Sequence, residues 1–194
     1  MSLVLDPKST ALVLIDLQKG ILSQQLAPHD VGTITRNSLA LARKFVEKKA
    51  PVVAVNVMFS ADLGDAPPNN VDAAMQLPAG GLPPEWAELI PEIDGLPGLL
   101  RVTKRQWGAF HGTELDVQLR RRGIRTIVLS GVSPPIGVEQ TAREAWQLNY
   151  DVVLVEDASA ATAGDSQIHQ HSIEKLMPRL SRVRSTADVL AALV

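Results

Sequence analysis

The chain has 194 residues, 45% of them hydrophobic and 21% charged, with a net charge of −2 and no cysteine. That length suits one domain with a sizeable core, and the composition is ordinary for a soluble globular protein. The charge balance, without a basic block, argues against nucleic acid as a partner; the short apolar runs argue against a membrane span; the missing thiol excludes disulfides, thiolate metal sites and a cysteine nucleophile.

Met1 to Asp6 carries neither a charged n-region nor an apolar h-region, so no signal peptide is expected and a cytoplasmic location fits. Thr10 to Asp16 is a continuous apolar run closing on a carboxylate, the pattern of a strand buried on both faces. Gly20, Pro28, His29 and Asp30 mark a loop. Thr33 to Lys49 is predicted helical: Ile34, Leu39, Leu41, Ala42, Phe45 and Val46 form an apolar stripe, with Arg43, Lys44, Lys48 and Lys49 outside it. Pro51 to Val57 is a second buried strand, with proline at the tolerated first position.

Ser60 to Pro97 differs in character, holding most of the prolines and little periodicity. A long irregular segment in a compact domain usually covers a site or an interface. Within it Pro84 to Leu89 is predicted to form one short helix, anchored by Trp86. Leu99 to Thr103 is a weaker third strand ending at Lys104, and Trp107 to Gly112 a loop. Thr113 caps a helix that ends at Gly123, with Glu114 and Asp116 in its first turn and Arg120, Arg121 and Arg122 in its last. Ile124 to Leu129 is the fourth strand, and Val138 to Leu148 the helix after it. Asp151 to Asp157 is the fifth strand, followed by a small-residue loop, Ala158 to Gly164. Asp165 or Ser166 caps a helix to Leu176, Arg182 to Arg184 is a sixth strand, and Thr186 to Leu193 a terminal helix. Strands alternating with helices imply right-handed crossovers and one α/β domain, residues 1–194. The architecture expected is a three-layer α/β/α sandwich, Rossmann-like, with a mostly parallel six-stranded sheet.

The stretch Ser130 to Arg143 is where chemistry is expected. Strand, tight turn and helix is how an open α/β sheet builds a site, because ligands bind at the carboxyl ends of parallel strands and a new helix offers unpaired N–H groups there. Asp16 and Lys104 each close an apolar strand, so both should face that same edge. A partly buried pair of this kind suits acid–base work: the cation lowers the carboxyl pKa and desolvation raises it. The alternative is a structural ion pair. Gln18, after the aspartate, orients it or makes a loop hydrogen bond; Trp107 and Phe110 wall a pocket or plug a core. His111 lines the pocket or packs. His169 and His171 lie two apart and so point different ways on a helix, which reads as a solvated face rather than a metal pair. No Gly-x-Ser-x-Gly elbow is present, which speaks against a serine triad.

Three segments resemble, in the same order, those of the isochorismatase-like hydrolases, also called the cysteine hydrolase superfamily. Ala11-Leu12-Val13-Leu14-Ile15-Asp16-Leu17-Gln18 looks like the family's first strand with its catalytic aspartate. Lys104-Arg105-Gln106-Trp107-Gly108-Ala109-Phe110-His111-Gly112-Thr113 looks like its lysine segment. Gly131-Val132-Ser133-Pro134-Pro135-Ile136-Gly137-Val138-Glu139-Gln140-Thr141-Ala142-Arg143 looks like its nucleophile loop. The resemblance implies catalytic roles for Asp16, Lys104 and Gly137, and substrate contacts from Gln18, Trp107, Phe110, Val132, Ser133 and Ile136. It also implies a cis peptide at Val132–Ser133 that aims the N–H groups of Ser133 and Gly137 at a developing negative oxygen.

Two departures matter. Most of the family has its nucleophilic cysteine where this chain has Gly137, so no acyl-enzyme can form there. True isochorismatases also have glycine at this place and hydrolyse an enol ether, with the aspartate as proton donor. Pro134-Pro135 is the second departure: it removes two N–H groups and two polar side chains. Asn56 to Asp62 lacks the histidine of the family's metal set, so neither a metal nor any other cofactor is expected. Gln76 matches a carboxylate-holding glutamine, but no arginine lies between Arg43 and Arg101, which speaks against isochorismate itself. The expectation is a cofactor-free hydrolase of a small molecule. The alternatives are a non-catalytic binding or assembly module of the same fold, and an amidase using Ser133 as substitute nucleophile. Homo-oligomers are usual in the family, and Ser60 to Pro97 is the expected contact.

Overall fold

The computed structural model describes residues 3–75, 78 and 80–194; Met1 and Ser2 of the N-terminal stretch and Gln76 lie outside the described residues. Among these, seven strands form one sheet: β1 (Thr10–Ile15), β2 (Leu26–Ala27), β3 (Val52–Val57), β4 (Leu100–Lys104), β5 (Thr126–Val132), β6 (Asp151–Thr162) and β7 (Arg182–Arg184). The parallel strands lie in the order β4-β3-β1-β5-β6, with β7 beside β6. The sheet has one strand more than the six expected. The addition, β2, pairs antiparallel with the far end of β6 through Leu26↔Thr162 and Ala27↔Ala161, and two residues are too few to leave a periodic signal.

Each residue of β1 is buried, because the strand has helices on both sides. Leu12 and Leu14 enter one core with Ile34, Leu41 and Phe45 of α2 (Val31–Glu47) and Val189 of α7 (Thr186–Ala192). Ala11, Val13 and Ile15 enter the other with Leu115 and Leu119 of α4 (Leu115–Arg121) and Ala142 and Ala145 of α5 (Glu139–Gln147). The period of two along the strand thus divides two cores, and the molecule has three layers.

Local chemistry sets the helix ends. Asp30 accepts from the Thr33 N–H at 2.7 Å, so α2 starts two residues before the apolar stripe suggests. Ser185 and Asp188 form a reciprocal capping box that starts α7. The predicted helix after Asp165 is composite: α6 (Ser166–His171) passes into a π turn over Ser172–Leu176 and a 3-10 turn over Met177–Arg179. Ala158 to Thr162, read as a loop, instead continues β6. Ala158, Ser159, Ala160 and Ala161 are buried, their small side chains fitting between the layers. Gly20, read as part of a loop, sits instead in a one-turn helix, α1 (Lys19–Leu22). Inside the proline-rich segment, Pro84–Ala87 is a 3-10 turn and α3 (Pro91–Asp94) a short helix, with prolines at their starts. No described helix is long and apolar enough to cross a membrane.

The chain runs outward from β1 through β3 to β4, then returns to the other side of β1 with β5. The parallel order therefore reverses between β1 and β5, and a ligand crevice forms outside the carboxyl ends of the strands at such a reversal. Asp16 follows β1 and Ser133 follows β5.

Candidate active site

Asp16 leaves β1 with φ at +55°, the left-handed region, where a side chain other than glycine costs on the order of 1 kcal/mol and aspartate is among the tolerated residues. The strand ladder holds it there: its N–H donates to the Val55 carbonyl at 2.8 Å. Lys104 ends β4, separated from β1 by β3. Two strand spacings are roughly 10 Å, so only a long side chain reaches across. It does reach: Lys104 Nζ lies 2.9 Å from Asp16 Oδ2, with both side chains almost wholly out of solvent at 2% and 9% exposure. The same ammonium donates to the Trp107 carbonyl at 2.8 Å. The other carboxylate oxygen, Oδ1, is buried and, among the described residues, has no hydrogen-bond partner. Burial pushes the Asp16 carboxyl above its ordinary value, and the charge and hydrogen bond of Lys104 pull it back only in part.

The third wall comes from β5. Gly131 sits opposite Ile15 with φ at +124°; a Cβ there would fall 2.1 Å from the Ile15 carbonyl oxygen. Register with β6 slips at this point, and Ser159 fills the gap, accepting from Gly131 N–H at 3.2 Å and donating to the Val155 carbonyl at 2.8 Å. The Val132–Ser133 peptide is cis. Pro134–Val138 is a π turn, with the Ser133 carbonyl accepting from Ile136 and Val138, and it feeds directly into α5. Thr141 binds the turn to the lysine loop: its hydroxyl donates to the Gly137 carbonyl at 2.6 Å and accepts from Ala109 N–H at 3.2 Å. A Cβ on Gly137 would lie 3.1 Å from Lys104 Nζ and 3.4 Å from Asp16 Oδ2, so this glycine abuts both charged groups.

Asp16, Lys104 and Gly137, with Val132, Ser133, Ile136 and Trp107, line one cavity of about 530 Å³, a size suited to a small molecule. Ser133, also of this lining, has a buried Oγ that is likewise without a partner among the described residues. Ala73, Met75, Leu82 and Trp86 of the proline-rich segment, with Phe59 just before it, form another wall. Trp86 is seated on Gly20, where any Cβ would fall 1.9 Å from the indole Cδ1.

The structure moves two expected contacts out of this cavity. Gln18 is fully buried with its amide committed: Nε2 donates to the carbonyls of Val57 and Trp86, and Oε1 accepts from Val57 N–H at 2.8 Å. It ties the ends of β1 and β3 to the cavity roof. Phe110 points the other way, stacking at 5.5 Å on Tyr150, and with the exposed His111 it borders a neighbouring groove. His169 is buried rather than solvated, and burial pushes its pKa down to about 4. Among the described residues no cluster of three or more histidine, aspartate or glutamate side chains could hold a metal ion. Thr141 and Trp86 are the contributors that sequence reasoning missed at the site. Thr141 sits four residues after Gly137, the spacing at which a helical threonine bonds back to a carbonyl, which is a readable signal.

A sequence model for the Isochorismatase domain matches residues 10–188. The chain is 45% identical over 191 residues to YecD, an uncharacterized isochorismatase family protein of Escherichia coli O157:H7, covering 98% of this chain and 100% of that one. The chain belongs to the isochorismatase family. The matched span takes in Asp16, Lys104 and Gly137 together. Among solved structures, an isochorismatase family protein from Burkholderia thailandensis is similar over 100% of this chain and 99% of that one, with TM-score 0.90 and 41% identity. A ureidoacrylate amidohydrolase, RutB, of Cronobacter turicensis is 29% identical over 220 residues, 98% of this chain and 92% of that one. The isochorismatase family is thus one of hydrolases, and the seven-stranded α/β sheet is its fold.

Proposed function

We propose that the cavity hydrolyses a small molecule by acid–base chemistry, with Asp16 as the proton-transferring group and no covalent intermediate. The observation that carries this is the Asp16 carboxylate: buried, bound on one oxygen by Lys104, unpartnered on the other, and packed against a glycine that offers no nucleophile. Burial keeps the proton on Asp16 to higher pH than usual, and the ammonium stabilises the anion once the proton has left. Applied to an enol ether, Asp16 protonates the enol carbon. Water then adds to the resulting oxocarbenium carbon and gives a proton back to the Asp16 carboxylate, and the hemiketal breaks its C–O bond, its hydroxyl proton passing to the leaving oxygen, to give a carbonyl compound and an alcohol. The backbone N–H groups at Ser133 and Gly137 act in the last step, stabilising the leaving oxygen as it gains negative charge while the hemiketal C–O bond breaks.

The test compares wild type with Asp16→Asn on aryl vinyl ethers and small amides side by side. Asparagine accepts the left-handed backbone and can keep the hydrogen bond from Lys104, so the circular dichroism spectrum should be unchanged. Turnover should fall by roughly 10²-fold or more; a variant that keeps its activity rules the mechanism out. In wild type, a proton donor with a raised pKa loses activity as pH climbs through that pKa. Stability changes in the same sense: the folded state binds the Asp16 proton more tightly than the unfolded chain. It therefore weakens as pH rises from the ordinary carboxyl value of 3.8 through the raised one.

A second reading has one observation of its own. Ser133 lies in the cavity wall, and among the described residues its buried Oγ has no hydrogen-bond partner, which leaves it free to act as a substitute nucleophile for amides. An electrophilic ester analogue that leaves a mass shift on Ser133 would favour it over the non-covalent route.

A further inference from the structure

Among the described residues, the ionisable side chains lining the cavity are Asp16 and Lys104. Lys104 is 2% exposed and spends N–H bonds on Asp16 and on the Trp107 carbonyl, with Gly137 packed against its ammonium. It is a partner to Asp16 and not an anchor held out to a ligand. Arg105, the next residue, bonds to Asp65 through Nε at 2.6 Å and is absent from the lining. The chain from residue 50 to residue 100, which supplies the roof, contains no lysine, arginine or histidine and seven acidic residues. Its undescribed positions, Gln76, Leu77 and Ala79, carry no charge.

These facts decide what can be desolvated here. A carboxylate brought inside would meet a cation already paired and a carboxylate with one bare oxygen, under a roof that offers it no basic residue. A cation would find the one anion in the lining already bound to Lys104. The rest of the lining is mainly apolar and aromatic, with Val57, Phe59, Met75, Trp86, Trp107 and Ile136 among it; its other polar side chains, Gln24, Gln106 and Thr162, are neutral, and Gln106 and Thr162 are already bonded to the Gly108 carbonyl and to Asp165. Among the described residues, the buried polar atoms of the lining residues left without a partner are one carboxylate oxygen and one hydroxyl, Asp16 Oδ1 and Ser133 Oγ.

We infer that the substrate is an uncharged, mainly apolar small molecule with a single polar head, seated with that head at Asp16 and Ser133 and its body between Trp86, Trp107 and Phe59. The inference rests on the proposed function only in taking this cavity as the substrate site. It separates this chain from any relative whose pocket holds a substrate by its carboxylate.

Benzamide, benzoate and benzamidine share a shape and are neutral, negative and positive. Titrated into the whole protein by calorimetry, benzamide should bind about tenfold tighter or more than either ion, a gap of about 1.4 kcal/mol. Benzoate or benzamidine binding as well as benzamide would overturn the inference, as would benzamide failing to bind at all. Asp16→Asn supplies the second arm. It leaves Lys104 unbalanced, so benzoate should gain about tenfold or more over its affinity for wild type; no gain would mean that charge balance is not what keeps anions out. None of these titrations needs turnover. Charge preference in a protein without activity would sink the hydrolytic reading alone, and hydrolysis of an anionic substrate would sink this inference alone.

Discussion

Asp16, Lys104 and Gly137 stand on strands and a turn held from both sides, whereas Met75 and Trp86 are carried by a proline-rich stretch outside the sheet, with Phe59 at its entrance. The first wall takes its geometry from the ladder. Asp16 is bonded to Val55, Gly131 is pressed against Ile15, and Thr141 clamps the π turn to the lysine loop. The second wall takes its position from Trp86 on Gly20 and from Gln18, which bonds the Trp86 carbonyl. Catalytic groups must be held to a fraction of an ångström, while a wall that selects by shape and polarity tolerates more adjustment. Damage to the first wall should therefore cost stability and turnover together, and damage to the second should show in binding.

The largest effect should come from Lys104→Met. It leaves a buried carboxylate without its cation, which typically costs about 3–5 kcal/mol. Urea unfolding at neutral pH should show a loss of this order, shrinking at acid pH as Asp16 takes up a proton, and turnover should disappear with it. A loss under about 1 kcal/mol, the range of exposed pairs, would mean that the two walls do not differ as described.

Next comes Gly20→Ala. Gly20 lies in the short helix Lys19–Leu22, and in a helix alanine is favoured over glycine by about 1 kcal/mol, so a neutral or negative change in stability would have to come from elsewhere. That source is the indole of Trp86, which the new Cβ would displace. The expected result is a KM raised by about tenfold with kcat little changed, a loss of binding without a loss of chemistry. A fall in kcat with KM unchanged would show that the roof takes part in the chemical step.

The same division explains what could be read from the sequence. The ends of β1 and β4 were legible because a doubly buried strand writes itself as an unbroken apolar run, and the polar residue that breaks it sits at the sheet edge. The helices were legible by their stripes, to within the few residues that Asp30 adds. The continuation of β6 was not: Ala158, Ser159, Ala160 and Ala161 have small side chains that carry no periodic signal, and they belong to a strand because β2 and β5 pair with them. Nor was the orientation of side chains just past a strand end. Gln18 and Phe110 lie close in sequence to Asp16 and Lys104. Yet the backbone turns Gln18 toward Val57 and Trp86, and Phe110 toward Tyr150. The resemblance to a family located the charged pair and the turn; it could not say which neighbours share the cavity, because that depends on the path of the chain after each strand.

The smallest effect sharpens the comparison by separating the roof's anchor from its ornament. Lys19 and Glu88 form an ion pair between α1 (Lys19–Leu22) and the end of the roof, and it is the most obvious side-chain link between them. Both groups are about half exposed, at 46% and 56%, where water and salt screen the attraction. Beneath the pair, the backbone already makes the connection: Lys19 N–H donates to the Glu88 carbonyl at 2.8 Å, and Ile90 N–H to the Leu17 carbonyl at 3.1 Å. Glu88→Gln removes the charge and leaves those bonds, Gln18 and Trp86 in place. Its melting temperature and KM should match wild type within error, at low and high salt alike. A salt-dependent rise in KM would show instead that charge holds the roof down, and the anchoring assigned to Trp86 and Gln18 would have to be shared with it.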